Sequence, residues 1–87
     1  MPRDRQPPRP LPTKVTTPQD LGAIVRAVRQ EAGIDQAKAA GLAGVGTRFL
    51  GDVERGKPTL RLGLVLQVLD RLGLELTIAR RGDRRRS

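Results

Sequence analysis

The 87-residue chain contains no cysteine, histidine, tryptophan or tyrosine, one phenylalanine, and a single serine at its last position. Those absences remove thiol and imidazole chemistry, His/Cys metal sites and any disulfide framework. Carboxylates, lysines and threonines remain, and no catalytic constellation can be assembled from them. The expectation is a non-enzyme with no metal and no cofactor. Long hydrophobic runs are missing as well: nothing approaches the length of a membrane span, and no signal-type segment opens the chain. A soluble, cytoplasmic protein with no membrane partner is expected. A chain this short has room for one small domain, near the size where a lone core is marginally stable and oligomerisation often helps.

Positive charge is plentiful, but its placement matters more than its total of +8. Arg3, Arg5, Arg9 and Lys14 stand against Asp4 in residues 1–17, and Arg80, Arg81, Arg84, Arg85 and Arg86 against Asp83 in residues 80–87. The stretch between them is close to neutral. Bulk basicity of this kind suits any polyanion, RNA and membrane surfaces included. It permits nucleic-acid binding without specifying it.

Residues 1–17, with Pro2, Pro7, Pro8, Pro10 and Pro12, hold too few apolar side chains to offset the entropy of ordering, and a disordered tail is expected. The run at 80–87 is expected to be a basic disordered tail with nonspecific phosphate affinity. Between the tails, 18–73 reads as a four-helix domain. Thr17 can cap a first helix with Pro18 in its opening turn, and Leu21, Ile24, Val25 and Val28 recur at helical spacing. Gly33 ends that helix near Ala32. Asp35 can cap a second helix reaching about Ala43, a third runs from Thr47 to about Arg55, and a fourth from Arg61 to Leu72.

The fourth helix is apolar on most of its circumference. Leu62, Val65, Leu66, Leu69 and Leu72 form one stripe, assigned to the core; Leu64 and Val68 form another, which a lone domain would leave wet. After Gly73, Leu74-Glu75-Leu76-Thr77-Ile78 alternates with period two, the pattern of a half-buried strand over 74–79. One strand needs a partner for its ladder groups, and the simplest partner is the same strand of a second copy across a two-fold axis. A homodimer is expected, with Leu64, Val68, Leu74, Leu76 and Ile78 at its seam.

Residues 36–55 carry the spacing of a helix-turn-helix. Ala40 is small where two helices must approach, Gly44 follows where the chain must turn, and Leu50 and Val53 can pack back onto Ala40. Thr47 and Arg48 would then open a recognition helix facing the DNA major groove. From Leu21 to Ile78, roughly two-thirds of the chain, the sequence resembles the phage-repressor-like (Xre) helix-turn-helix family. The match runs through Gln36, Ala40, Gly44, Val45, Phe49-Leu50, Glu54-Arg55-Gly56-Lys57 and Leu72-Gly73-Leu74-Glu75-Leu76. Within that family it is most similar to HipB-type antitoxins, which pair with HipA-like kinase toxins. The resemblance implies an all-α, lambda-repressor-like domain with one C-terminal β-strand pairing across a dimer.

Candidate DNA contacts follow from motif and resemblance together. Arg48 is placed to bridge O6 and N7 of a guanine, worth about 1–3 kcal/mol of discrimination, with a solvated arginine as the alternative. Asp52, one turn on, is expected to hold Arg48 as an i,i+4 partner, or else to accept from a cytosine amino group. The resemblance implies a backbone-binding amide at Gln36, where the helix N-terminus would add donors aimed at a phosphate. Lys38, Arg55 and Lys57 are further phosphate candidates, and Gly46 stands where a hydroxyl cap is usual. The resemblance also pairs Glu54 with Arg29 as a structural salt bridge. Gly51, beside the DNA-facing residues, is expected to permit a close backbone approach.

The leading functional expectation is a homodimeric repressor that binds a palindromic operator of its own operon and holds a HipA-like kinase toxin inactive. A stand-alone Xre-family regulator without a toxin is the nearest alternative. A basic RNA-binding or structural protein using its tails is the reading from another class.

Overall fold

The structure, a computed structural model, describes residues 13–82, so most of the expected N-terminal tail and the last five residues lie outside it. Four helices follow one another: α1 (Pro18–Glu31), α2 (Gln36–Ala43), α3 (Thr47–Arg55) and α4 (Leu62–Arg71). The described residues contain no strand. α1 packs on α3, α3 on α2, and α2 on α4. Among the described residues no helix is long and apolar enough to cross a membrane.

Each start and stop has a local cause. Thr17 and Asp20 form a reciprocal capping box at α1: the Asp20 N–H donates to the Thr17 hydroxyl at 3.0 Å, and the Thr17 N–H to the Asp20 carboxylate at 3.1 Å. The Asp20 carboxyl is held below its usual range by the backbone N–H and then the hydroxyl of Thr16, with Thr17 adding to them. All four helices end in one closure, in which a glycine of left-handed φ donates back to the helix and the next residue donates to the carbonyl five positions earlier. Gly44 (φ 73°) donates to the Gly41 carbonyl and Val45 to that of Ala40 at 3.0 Å; Gly56 (φ 80°) and Lys57 repeat this with Val53 and Asp52. Gly33 and Gly73 end α1 and α4 in the same way.

The core gathers Val25, Ala39, Ala40, Ala43, Leu50, Val53, Val65, Val68 and Leu69. Three of the nine are alanines of α2. That helix is thin on its inner face, which lets α3 and α4 close on it with little side chain between. Gly41 on the same helix is exposed, and a methyl group there would meet nothing within 4 Å. Gly41→Ala is therefore expected to raise stability by about 1 kcal/mol. A melt unchanged or lowered in temperature would contradict this.

α4 keeps Val65, Leu69 and Leu72 of its expected core stripe against the core, but not the rest of that stripe. Val65, Val68 and Leu69 are buried, whereas Leu62 and Leu66, assigned to the core from the sequence, are 65% and 41% exposed. Val68, expected at a dimer seam, lies wholly inside the core and is out of reach of a second subunit. Leu64 is half-buried, and Leu74 packs partly against the core. Residues 74–80 form neither helix nor ladder. A strand needs a neighbouring strand for its ladder groups, and the other described residues, in helices, turns and loops, supply none.

Candidate nucleic-acid interface

α2, the turn at Gly44–Gly46 and α3 put one helix end at the surface. Gly46 is the N-cap of α3 and supplies no side-chain hydrogen bond, so among the described residues no side chain caps the first N–H groups of that helix. Thr47 and Arg48 are exposed there, and Arg48 has no ion pair or hydrogen-bonding partner among the described residues. The amphipathic helix behind them is anchored by Leu50 and Val53, both buried, with Phe49 half-buried against the same core.

A three-helix clamp fixes the direction of α3. Arg29 of α1 donates through Nε to Glu54 Oε2 at 2.7 Å and through Nη2 to Oε1 at 2.9 Å. Its Nη1 also reaches the Ile34 carbonyl at 3.0 Å, and Gln36 of α2 donates to Glu54 Oε1 at 3.0 Å. The fork is bidentate and its carboxylate is 4% exposed, so both charges are largely dry, and each makes three hydrogen bonds. Burial works against the Glu54 charge. Hydrogen bonds from Arg29 and Gln36, and the charges of Arg29 and Arg26, outweigh it and hold the carboxyl below the usual glutamate value. The hydrogen bond to Glu54 likewise raises Arg29.

A second brace holds the turn. Gln67 Nε2 of α4 donates to the Ala43 carbonyl at 2.7 Å and to that of Gly44 at 3.4 Å, while Arg71 reaches the Leu42 carbonyl at 3.4 Å. These are last-turn carbonyls of α2, left open by the helix itself. Gln67 was not singled out from the sequence. The available signal was a lone amide among the apolar positions of α4.

The other expected contacts are placed differently from one another. Lys38, Arg55 and Lys57 are exposed. Asp52 does not hold Arg48: its carboxylate accepts from Arg55 Nη2, three residues on, and lies 3.8 Å from Lys57 Nζ. Geometry decides this, because the helix and the Gly56 turn bring both cations back over Asp52. The α2 N-terminus is partly occupied, with the Asp35 carboxylate accepting the Lys38 N–H at 2.8 Å. Gln36 spends one amide N–H on Glu54. Gly51 is buried beneath the side chains of Arg55 and Gln36 rather than open to a ligand.

Two short helices around a tight glycine turn, the second with an open N-terminus at the surface, are the arrangement of a helix-turn-helix. Residues 20–81 match the family model described as a helix-turn-helix domain, and the chain belongs to that family. It is 51% identical over 73 residues to an uncharacterised HTH-type transcriptional regulator, y4mF, of Sinorhizobium fredii, a match covering 84% of this chain and 96% of the relative. Among solved structures it is similar to a HipA-HipB-O2-O3 complex and to a HipB-O4 20mer complex. Each gives a TM-score of 0.71 at 24% identity, covering 78% of this chain and 96% of the other. At that identity the likeness is one of fold.

Proposed function

We propose that the chain is a sequence-specific DNA-binding repressor that acts as a homodimer on a palindromic operator, and that it is the antitoxin of a HipA-like kinase toxin. The observation that carries the DNA reading is the exposed Arg48, without a partner among the described residues, at the head of a helix locked by the Arg29–Glu54–Gln36 clamp. A rigid probe bearing a guanidinium suits bidentate reading of guanine in the major groove. Thr47 and the first N–H groups past Gly46 sit beside it for backbone or base contacts. Lys38, Arg55 and Lys57 set register on phosphates. The toxin partner is supported by the HipB resemblance and by a solved neighbour in which HipB is found with HipA. A stand-alone regulator is the second reading, favoured by the 51% relative, whose name mentions regulation alone.

Dimerisation joins the segment at 74–79 to its own copy about a two-fold axis. Leu76 and Ile78 are 47% and 92% exposed, and Leu62 and Leu66 add exposed apolar surface on α4. The seam thus takes Leu64, Leu66, Leu74, Leu76 and Ile78, with Val68 replaced. Footprinting on the chain's own promoter, with and without the adjacent gene product, tests the whole reading. A two-fold symmetric protected site is expected, with affinity falling steeply in salt. Arg48→Ala should weaken operator binding about 5- to 150-fold, the equivalent of about 1–3 kcal/mol. Deleting residues 80–87 should leave operator recognition in place, whereas loss of all binding on that deletion would favour the tail-driven RNA or structural reading.

A further inference from the structure

We propose that the Asp52 carboxylate is a built-in stand-in for a DNA phosphate, which offsets one of the two charges of Arg55 and Lys57 and holds down affinity for duplex of any sequence. The inference rests on the DNA-binding reading above and concerns how that surface is tuned. One cation reaches each carboxylate oxygen: Arg55 Nη2 bonds Oδ1, and Lys57 Nζ lies 3.8 Å from Oδ2. The layering is ordered outward. Asp52 is 20% exposed at its side chain, Lys57 50% and Arg55 68%, so the anion lies beneath two cations that face water. The loop is tied in the same place, because the Lys57 N–H also donates to the Asp52 carbonyl at 3.0 Å. A phosphate arriving from solvent meets the cations first and must replace a carboxylate already bound to them. Exchange of one oxyanion for another gains little, and fewer counterions are released than two free cations would release. Arg48, one turn earlier on α3, carries no such partner among the described residues and is placed to meet base edges.

The test uses the full chain, a mixed-sequence 20-base-pair duplex and fluorescence anisotropy across salt, with wild type, Asp52→Asn and Asp70→Asn. Asp70, exposed on α4, controls for the change in net charge alone. Asp52→Asn should bind the duplex about three- to tenfold more tightly at low salt, with a log–log salt slope steeper by about 1. Asp70→Asn should move neither by more than a small part of that. Adding Arg55→Gln to Asp52→Asn should return the slope toward wild type. An unchanged slope in Asp52→Asn, weaker binding, or an equal gain in Asp70→Asn overturns the inference while leaving the DNA reading intact. Failure of every protein, wild type included, to bind any duplex overturns both.

Discussion

Gly22→Ala is expected to unfold the domain. Gly22 lies on α1 where α3 crosses it, and an added Cβ would run into the Val53 carbonyl oxygen and stand 2.7 Å from that of Glu54. Both obstacles are backbone, so no rotamer change relieves them, and α1 and α3 must move apart. That separation opens the core around Val25 and Val53 and pulls Arg29 from Glu54 together. A cost of at least about 3 kcal/mol follows from overpacking of this kind. A domain of this size has only about 3–9 kcal/mol in all. Far-UV circular dichroism with a thermal melt gives the answer. A variant that melts within a few degrees of wild type would show that the helices do not cross at Gly22.

Removing Glu54 has the second-largest effect. Glu54→Ala strands a guanidinium that is 12% exposed and leaves the Gln36 amide without its acceptor, for an expected loss of about 2–4 kcal/mol. Replacing both partners, Arg29→Met with Glu54→Leu, should recover most of that stability, since the penalty comes from the unpaired charge rather than from the missing attraction. Operator affinity separates the roles: the double variant should fold yet bind less well, because α3 has lost the lock that aims it. Acid supplies a further readout. The folded-state value of Glu54 lies below its ordinary 4.5, so its contribution to stability is complete above that pH and disappears as pH falls through the lower folded value. Glu54→Gln keeps the size and removes that titration, and its stability should change less than that of wild type between about pH 5 and pH 3. What remains comes in part from Asp20, whose carboxyl is also held low. A wild-type acid profile in Glu54→Gln would exclude the clamp as its source.

The motif was legible because its requirements are local. A small Ala40, a left-handed Gly44 and the stops at Gly33, Gly56 and Gly73 are each written in one or two residues, and the helix bounds follow from them. The phase of α4 was legible only in part, since Leu62, Leu64, Val65, Leu66, Val68 and Leu69 offer two stripes of similar quality. Only the thin alanine face of α2 decides which stripe turns inward, and that is a tertiary fact. Asp52 failed for a related reason. A helical carboxylate can meet partners three or four residues away, and the Gly56 turn brings Lys57 into the competition. Gly22 was not singled out from the sequence, and only the crossing of α3 gives it a role. The Arg29–Glu54 pair came from resemblance, because nothing in the spacing of 25 residues announces a contact.

The repeated glycine closure also has a genetic consequence. A glycine codon reaches alanine, serine, arginine, valine, aspartate, glutamate, cysteine or tryptophan by one nucleotide change, but never asparagine, which tolerates left-handed backbone better than most of these. Each helix stop therefore sits in a mutational trap with few mild exits: at Gly56 a side chain would also run into the Gln19 backbone at 2.7 Å. Drift in this chain should accumulate on its wet helix faces and spare its four corners.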